Sequence, residues 1–176
     1  EGVFYESINL AIIKKIPCLF ICENNFYSVY SNLSVRQPKN RKIYKMVSAL
    51  GIHSEFCDGY NIQKVYKTLK KSVNFIRRTS KPVFLEFSTF RFREHCGPNF
   101  DDDLNYRNIN QVKKSISLDP LNLLEKKLLH SKSGLSFVNK TKSINKNKIN
   151  KAFDKAINLN EKIENFAYEG LYKKNL

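Results

Sequence analysis

The chain has 176 residues, of which 41% are apolar and 12% aromatic, so it is long enough for one domain with a real core and too short for two of ordinary size. Its six glycines and five prolines exclude collagen-like and low-complexity chains. The net charge of +15 favours anionic partners but says nothing about the fold. Because lysine and asparagine are both abundant, biased coding toward these two residues accounts for that charge equally well.

The beginning of the chain and its apolar stretches predict a cytoplasmic protein with no membrane partner. Residues 1–7 contain no basic segment and no small-residue cleavage site, so we expect no signal peptide. The longest apolar stretch, residues 16–22, is far shorter than the roughly 18 residues that span a bilayer. No C-x-x-C pair occurs, so we expect reduced, core-filling thiols at Cys18, Cys22, Cys57 and Cys96.

The first elements along the chain form half of an α/β repeat. Apolar residues at helical spacing predict a helix over residues 3–12, and Pro17 ends that pattern. Residues 18–22 are apolar without alternation, which is typical of a parallel strand buried on both faces. A polar turn at residues 23–25 follows.

The same pattern then returns. Residues 52–57 predict a weak strand, and a turn follows in which Asp58 or Asn61 caps the next helix. Over residues 62–76 the apolar positions recur at helical spacing, with lysine and arginine between them, which predicts an amphipathic helix.

A third apolar segment, residues 83–90, predicts a strand that leads into a polar loop over residues 91–107. The alternation of helices and strands favours an α/β fold with a partial, doubly wound parallel sheet. Ligands of such sheets bind beyond the carboxyl ends of the strands. The polar segments 23–31 and 91–107 both fall at that edge.

The last part of the chain is predicted to be helical. Leucines favour a helix over residues 121–129, and after a Ser/Gly break at 131–136 a Lys/Asn-rich stretch leads to a further helix at about 147–168. We therefore divide the chain into an α/β domain, residues 1–130, and a helical C-terminal extension, residues 131–176.

Two groups of polar residues offer chemistry at the predicted edge. Residues 23–25 supply hard oxygen ligands of the kind that Mg²⁺ accepts, although asparagine pairs more often form turns. Arg91, Arg93 and His95 suit an anionic group such as phosphate, although a basic loop is more often only a solvated surface. Side by side, the two groups would clamp a metal-bound diphosphate, whereas the glycine-rich loops of dinucleotide and nucleoside triphosphate sites are missing.

Two blocks of sequence resemble a known family. The first comprises residues 1–11 and 15–28, and it contains the motif ICENNFYS. The second comprises residues 87–95, which read FSTFRFREH, and residues 106–107. Together they resemble the alpha subunit of thiamine diphosphate-dependent dehydrogenases of the pyruvate, acetoin and branched-chain type, over residues 1–130. The resemblance implies a thiamine diphosphate-binding fold.

The resemblance also implies cofactors, site residues and partners. Asn25 would give a side-chain oxygen to Mg²⁺ and Tyr27 its backbone carbonyl, while Arg91 and His95 would approach the diphosphate and the reacting centre, with His95 as the catalytic residue. The implied oxidoreductase activity decarboxylates a 2-oxo acid and passes the acyl group to a lipoyl group. The implied partners are a dehydrogenase beta subunit, in an α2β2 heterotetramer, and a lipoyl-bearing acyltransferase.

Several family features are not in this chain. The Gly-Asp-Gly start of the thiamine motif would lie before Glu1, and the glutamate that activates the thiazolium belongs to the beta subunit. We therefore expect an incomplete alpha subunit that binds the cofactor weakly and is inactive alone. Cys96 and Asn105 stand where animal mitochondrial relatives carry regulatory serines, so phosphorylation control is not carried over.

Two other functions remain open at this stage. One is an inactive fragment that packs on a beta subunit. The other is a basic nucleic-acid-binding domain, which the net charge suggests but which we disfavour because the lysines are scattered over several elements and no nucleic-acid motif occurs.

Overall fold

The protein is described from a computed structural model, in which residues 2–159 are defined. The chain divides into two compact units, with the boundary between Leu124 and Glu125. The helices and strands, in chain order, are α1 (Gly2–Ile13), β1 (Leu19–Asn24), β2 (Tyr27–Ser28), β3 (Ser31–Asn32), α2 (Leu33–Arg36), α3 (Ile43–Ser48), β4 (His53–Asp58), α4 (Ile62–Thr79), β5 (Val83–Ser88), α5 (Ile109–Ser117), α6 (Pro120–Leu128) and α7 (Lys132–Ile157).

The first unit is built on a parallel sheet of three strands in the order β1-β5-β4. The register pairs His53 of β4 with Val83 of β5 at one end of the sheet. At the other end Ser88 of β5 lies between Asn24 of β1 and Asp58 of β4. The carboxyl ends of all three strands are therefore level, and the predicted parallel α/β sheet is confirmed.

Helices cover both faces of the sheet. The side chains of β5 alternate between the two faces, so each face has its own apolar core. Val83 and Leu85 point toward α4 and pack with Ile76. Phe84 points to the opposite face, where it packs with Ile8 of α1 and with α3. This helix–sheet–helix layering is the doubly wound arrangement that the sequence predicted.

The expected burial of β1 on both faces is wrong. Ile21, in the middle of β1, is 51% exposed, and Glu23 is also exposed. The strand lies at the edge of the sheet, so among residues 2–159 only one of its faces is well covered. By contrast, all six residues of β5 are buried, because this strand has neighbours on both sides and helices on both faces.

The predicted helices are largely confirmed, with shifted ends. Asn61, rather than Asp58, caps α4: its side-chain oxygen accepts the N–H of Lys64 at 3.0 Å. The Asp58 side chain instead accepts the N–H of Tyr60 at 3.0 Å. Helices α2, α3 and α5 were not predicted, since they are short or lie in polar segments.

In the second unit the predicted break at residues 131–136 is wrong. Ser131 caps α7 by accepting the N–H of Gly134 at 3.0 Å, so the helix begins at Lys132 and continues to Ile157. The loop between α6 and α7 is therefore only a few residues long. The part of the predicted helix beyond residue 159 lies outside the described residues.

The cysteine prediction holds only in part. All four thiols are free, but Cys96 is exposed and Cys18 and Cys22 are half-buried, which leaves Cys57 as the buried, core-filling thiol. Burial raises the pKa of Cys22, and the nearby Glu86 and Glu23 raise it further. In the described part of the chain, no helix combines the length and the apolar character needed to cross a membrane.

Candidate functional site

Two consecutive asparagines build the turn that follows β1. The side-chain oxygen of Asn24 accepts the N–H of Phe26 at 2.9 Å, and that of Asn25 accepts the N–H of Tyr27 at 3.0 Å. Phe26 has a left-handed φ of 62°, so the chain turns sharply at the end of the strand. Both asparagines therefore form the turn, and Asn25 Oδ1 keeps one lone pair for a further partner.

A buried glutamate on the central strand holds this turn. Glu86 is 4% exposed, and its Oε1 accepts a hydrogen bond of 2.8 Å from Asn24 Nδ2. Its Oε2 accepts the N–H of Tyr44 at 2.8 Å. Within residues 2–159 no basic side chain lies within ion-pair distance of Glu86. Its negative charge is thus stabilised by N–H donors, which fix Asn24 and the start of α3.

The loop after β5 is organised around a buried carboxylate, Asp101, which is 2% exposed. Asp101 Oδ1 accepts a bond of 2.5 Å from Arg107 Nη2, while Oδ2 accepts from Tyr106 Oη at 2.8 Å and from Arg91 Nη2 at 3.3 Å. Arg107 also bonds Asp102 at 2.6 Å and the carbonyl of Arg91 at 2.6 Å. Two arginines and two aspartates therefore balance one another in charge.

Tyr106 links this loop to the turn after β1. Its ring packs edge-on against Tyr27, with centroids 5.6 Å apart, and against Tyr30 at 5.1 Å. Burial raises the pKa of the Tyr106 hydroxyl, and its hydrogen bond to Asp101 raises the pKa further, against the opposing effect of two nearby arginines. The hydroxyl therefore stays protonated and donates.

The two predicted loops meet in one cleft. Arg91 Nη2 donates to the carbonyl of Val29 at 3.3 Å, so the loop after β5 is bonded to the hairpin of β2 and β3. Among residues 2–159 the walls of the cleft lie too close together to enclose a cavity, so a diphosphate would bind there only if the walls moved apart. The cleft brings together three of the predicted site residues with three others, and it is lined by Asn25, Tyr27, Phe90, Arg91, Tyr106 and Arg107.

His95 does not line this cleft. It is exposed and lies near the tip of a loop. Two contacts between residues on either side of His95 hold the ends of this loop together. Glu94 and Asn99 exchange two hydrogen bonds, in which each backbone N–H is a donor. Arg93 stacks over the ring of Phe100 at 4.0 Å. Within residues 2–159 His95 has no hydrogen-bond partner, so its catalytic role stays a prediction.

The residues of the cleft are of the right chemical type to bind a metal ion with its anion. They supply too few ligands to hold the metal ion by themselves. Asn25 Oδ1 and the Tyr27 carbonyl are the hard oxygens that Mg²⁺ accepts, yet nowhere in residues 2–159 do three His, Cys, Asp or Glu side chains cluster as a metal site. For an anion, Arg107 Nε is a buried donor without an acceptor in the described structure, and a phosphate oxygen would satisfy it. Arg91 is already paired with Asp101.

Three residues that organise this region, Glu86, Asp101 and Arg107, were not predicted as site residues from the sequence. Glu86 lies in an apolar run, and a glutamate in such a run is itself a signal that a buried partner exists. Asp101 and Arg107 lie in a polar loop without periodicity. The three consecutive aspartates at 101–103, in a chain with only 16 acidic residues, were the available signal for an ion-pair network.

A further cavity, of about 490 Å³, opens beside Asn24 and Glu86. Its wall includes the basic residues Lys39, Arg41 and Lys42, which precede α3. No motif in the sequence pointed to this cavity. It lies near the turn after β1 and shares none of the residues that line the cleft.

The fold and the cleft together define a doubly wound α/β protein whose candidate site lies at the carboxyl edge of a parallel sheet. The chain matches the model of the dehydrogenase E1 component family over residues 1–164, and it belongs to that family. Its relatives include alpha subunits of the pyruvate dehydrogenase E1 component, which confirms the resemblance to that group.

Three relatives illustrate the match. The alpha subunit from Rickettsia felis is 31% identical over 132 residues, which are 75% of this chain and 39% of the relative. The chloroplastic alpha-3 subunit from Arabidopsis thaliana is 31% identical over 157 residues, 89% of this chain and 35% of the relative. The testis-specific mitochondrial form from Homo sapiens is 28% identical over 135 residues, 75% of this chain and 33% of the relative. The chain thus spans less than two fifths of the length of these relatives.

Proposed function

We propose that this chain forms part of the alpha subunit of a thiamine diphosphate-dependent 2-oxo acid dehydrogenase. The assembled enzyme decarboxylates a 2-oxo acid and passes the acyl group to a lipoyl group on an acyltransferase. The observation that carries the proposal is the contact between the two strand-end loops, made by Arg91 with the Val29 carbonyl and by Tyr106 with the ring of Tyr27. This contact supports a single site composed of Asn25, Tyr27 and Arg91.

Each residue has a role that its chemistry supports. Asn25 Oδ1 and the Tyr27 carbonyl would hold Mg²⁺, and the Arg107 Nε–H, which has no acceptor among residues 2–159, would add a donor for a diphosphate oxygen. Thiamine diphosphate, when bound, supplies the electron sink that decarboxylation requires. His95, on its exposed loop, moves a proton at the reacting centre.

The cleft also supports weak cofactor binding by this chain alone. Asp101 and Asp102 neutralise Arg91 and Arg107, so little positive charge remains to attract a diphosphate. Mg²⁺ binding usually relies on at least one carboxylate besides phosphate oxygens. We expect calorimetric titration of the chain alone with Mg²⁺ and thiamine diphosphate to give no binding in the micromolar range. Micromolar affinity would contradict this expectation.

Activity requires the other parts of the enzyme. The test is to co-express the chain with a beta subunit and with the amino-terminal part of a relative's alpha subunit, and to measure release of CO2 from 2-oxo acids. Restored decarboxylation supports the proposal. An assembled complex that contains folded chain and bound cofactor but releases no CO2 would instead support an inactive fragment that packs on a beta subunit.

Variants of the assembled enzyme then test individual residues. His95→Ala should lower turnover by at least about tenfold, in line with the contribution of a positioned acid or base. His130→Ala is the matched control, since His130 is an exposed histidine of the second unit. Asn25→Ala should raise the Mg²⁺ concentration needed for half-maximal activity. Unchanged turnover of the His95 variant would refute its role.

A further inference from the structure

Five basic side chains gather at the edge of the sheet opposite the cleft. His53 begins β4 and pairs with Val83 at the start of β5, so this is the edge where the strands begin. With six residues in each strand, it lies about 17 Å from the carboxyl edge. Two of the basic residues lie in α4, one begins β4, and two lie in the segments that lead into β1 and β5; they are Lys71, Arg78, His53, Lys15 and Lys81.

Two neighbouring cavities lie among these side chains. The first has a volume of about 360 Å³ and is lined by His53, Lys71 and Arg78, together with Phe75. The second has about 200 Å³ and shares His53 and Phe75 with the first. The two shared rings contact each other in a tilted arrangement, with ring centroids 5.5 Å apart and planes inclined by 36°. The volume of the first cavity alone is within the range of small-molecule sites.

The charge around these cavities is almost unopposed. Among residues 2–159, no aspartate or glutamate lines either cavity. Lys71 bonds Glu55 at 3.2 Å, but within residues 2–159 the other four basic side chains have no acidic partner. Lysine and arginine side chains held together without counter-charges repel one another and favour a bound anion.

The walls of the two cavities differ in chemistry. The second cavity adds the apolar side chains of Ile12, Ile52 and Pro82 to the basic Lys15 and Lys81. A ligand that spans both cavities would therefore place an anionic group against the basic side chains and a compact apolar part against this wall. Arginine and lysine together are suited to a phosphate group, which carries more than one negative charge.

From this arrangement we propose a second ligand site at the amino edge of the sheet, which takes a small molecule that bears a phosphate group. Arg78, Lys71 and Lys81 contact the phosphate, and His53 on Phe75 forms the floor between the two cavities. The proposal does not depend on the proposed cofactor site, which lies at the opposite edge of the sheet.

If these residues only stabilise the fold, mutations at them should have different effects from those expected for a ligand site. Arg78 lies in the last turn of α4, where a positive charge stabilises the carbonyls at the end of the helix. Arg77 lies in the same turn but lines neither cavity. If only the helix end mattered, the two arginines would be equivalent. A ligand site requires Arg78 and not Arg77.

The chain contains three histidines, so their imidazole signals are readily separated by NMR. We would titrate the full chain with inorganic phosphate, and separately with pyrophosphate, at an ionic strength held near 0.1 M with chloride. We expect a saturable shift of the His53 signal and tighter binding of pyrophosphate. His95 serves as a separate reporter of the cleft, so a failure at one site is distinguishable from a failure at the other.

Matched variants decide the outcome. Arg78→Ala and Lys81→Ala should each weaken binding by about threefold to fivefold, as expected for a single contact between partly exposed charges, and Lys81→Glu should abolish saturation. Arg77→Ala and Lys70→Ala should leave the affinity unchanged, since neither residue lines the cavities. A His53 shift that does not saturate, or equal weakening by Arg77→Ala and Arg78→Ala, would overturn the proposal.

Discussion

Glu86 is the acidic residue of the central strand β5, where every residue is buried. A charged side chain in such a place is stable only when hydrogen bonds replace its hydration. Asn24 and the backbone of Tyr44 supply those bonds. Glu86 thereby connects the turn after β1 with the start of α3, and its effect on any ligand at that turn is indirect.

Glu86→Ala should lower the free energy of unfolding by about 2–4 kcal/mol, because the buried Asn24 amide and the partly buried Tyr44 N–H lose their acceptor. Urea unfolding followed by circular dichroism measures the change. Glu55→Ala is the control, since Glu55 makes an exposed ion pair with Lys71 and its loss should cost less than about 1 kcal/mol. A loss as small for Glu86→Ala as for Glu55→Ala would show that the two hydrogen bonds do not stabilise the fold.

Tyr106 makes the stability dependent on pH in alkaline solution. Its pKa in the folded chain is raised above the ordinary 10.0, so the folded state binds this proton more tightly than the unfolded state. The resulting stabilisation is complete below pH 10 and is lost as the pH rises through the higher, folded pKa. We expect the unfolding free energy of the Tyr106→Phe variant to decline less steeply above about pH 10 than that of the wild type. The control is Tyr66→Phe, at an exposed position, which should leave the decline unchanged.

At the scale of elements, the position of the candidate site depends on where the strands end. β1 and β5 end level with each other at Asn24 and Ser88, and each is followed by a polar segment. Parallel register alone therefore brings the two loops to one edge. The side chains of Asp101 and Arg107 then fold the longer loop upon itself and keep Arg91 directed toward the hairpin.

Gly134 shows how a contact between elements can reverse a local preference. Alanine is more favourable than glycine inside a helix by about 1 kcal/mol. Gly134→Ala would therefore stabilise an isolated α7. In this unit, however, a Cβ at residue 134 would collide with the carbonyl of Leu128 at the end of α6. We expect Gly134→Ala to lower the thermal stability and helicity of the second unit, as measured by circular dichroism. Ser136→Ala, at an exposed position of the same helix, should leave them unchanged or raise them, and a rise for both variants would contradict the contact.

At the scale of the whole molecule, the chain exposes much apolar surface. Helix α1 is apolar around most of its circumference, a pattern that is typical of a buried helix, yet Val3 is 67% and Ile13 is 65% exposed. Ile21 of the edge strand is also exposed, on the face of the sheet opposite α1. Exposed apolar surface favours association.

We therefore expect the isolated chain to self-associate as its concentration rises, which sedimentation velocity will measure. The double variant Val3→Lys with Ile13→Lys should remain monomeric at higher concentrations, because charges on α1 oppose apolar contact. Val35→Lys is the control, since Val35 is also exposed but lies on the separate, short α2. Equal effects of the control and the double variant would show that total charge, rather than the surface of α1, limits association.

The sequence by itself determined the order and type of the main elements. Apolar periodicity and the proline and glycine positions predicted α1, β1, β4, α4 and β5 within a few residues, because these signals act over short stretches of chain. The motifs around Asn25 and Arg91 also identified the family. Both kinds of information are local in the sequence, and neither required knowledge of which segments touch.

Tertiary structure alone decided which strand is central, which face is covered and which charges are paired. The apolar runs of β1 and β5 look alike in sequence, but among the strands of residues 2–159 only β5 has neighbours on both sides. Asp101 and Arg107 form their buried pair because the loop folds back on itself, and no periodicity encodes that contact. Burial and charge pairing depend on residues far apart in the chain, so they emerge only when the sheet and its loops are assembled.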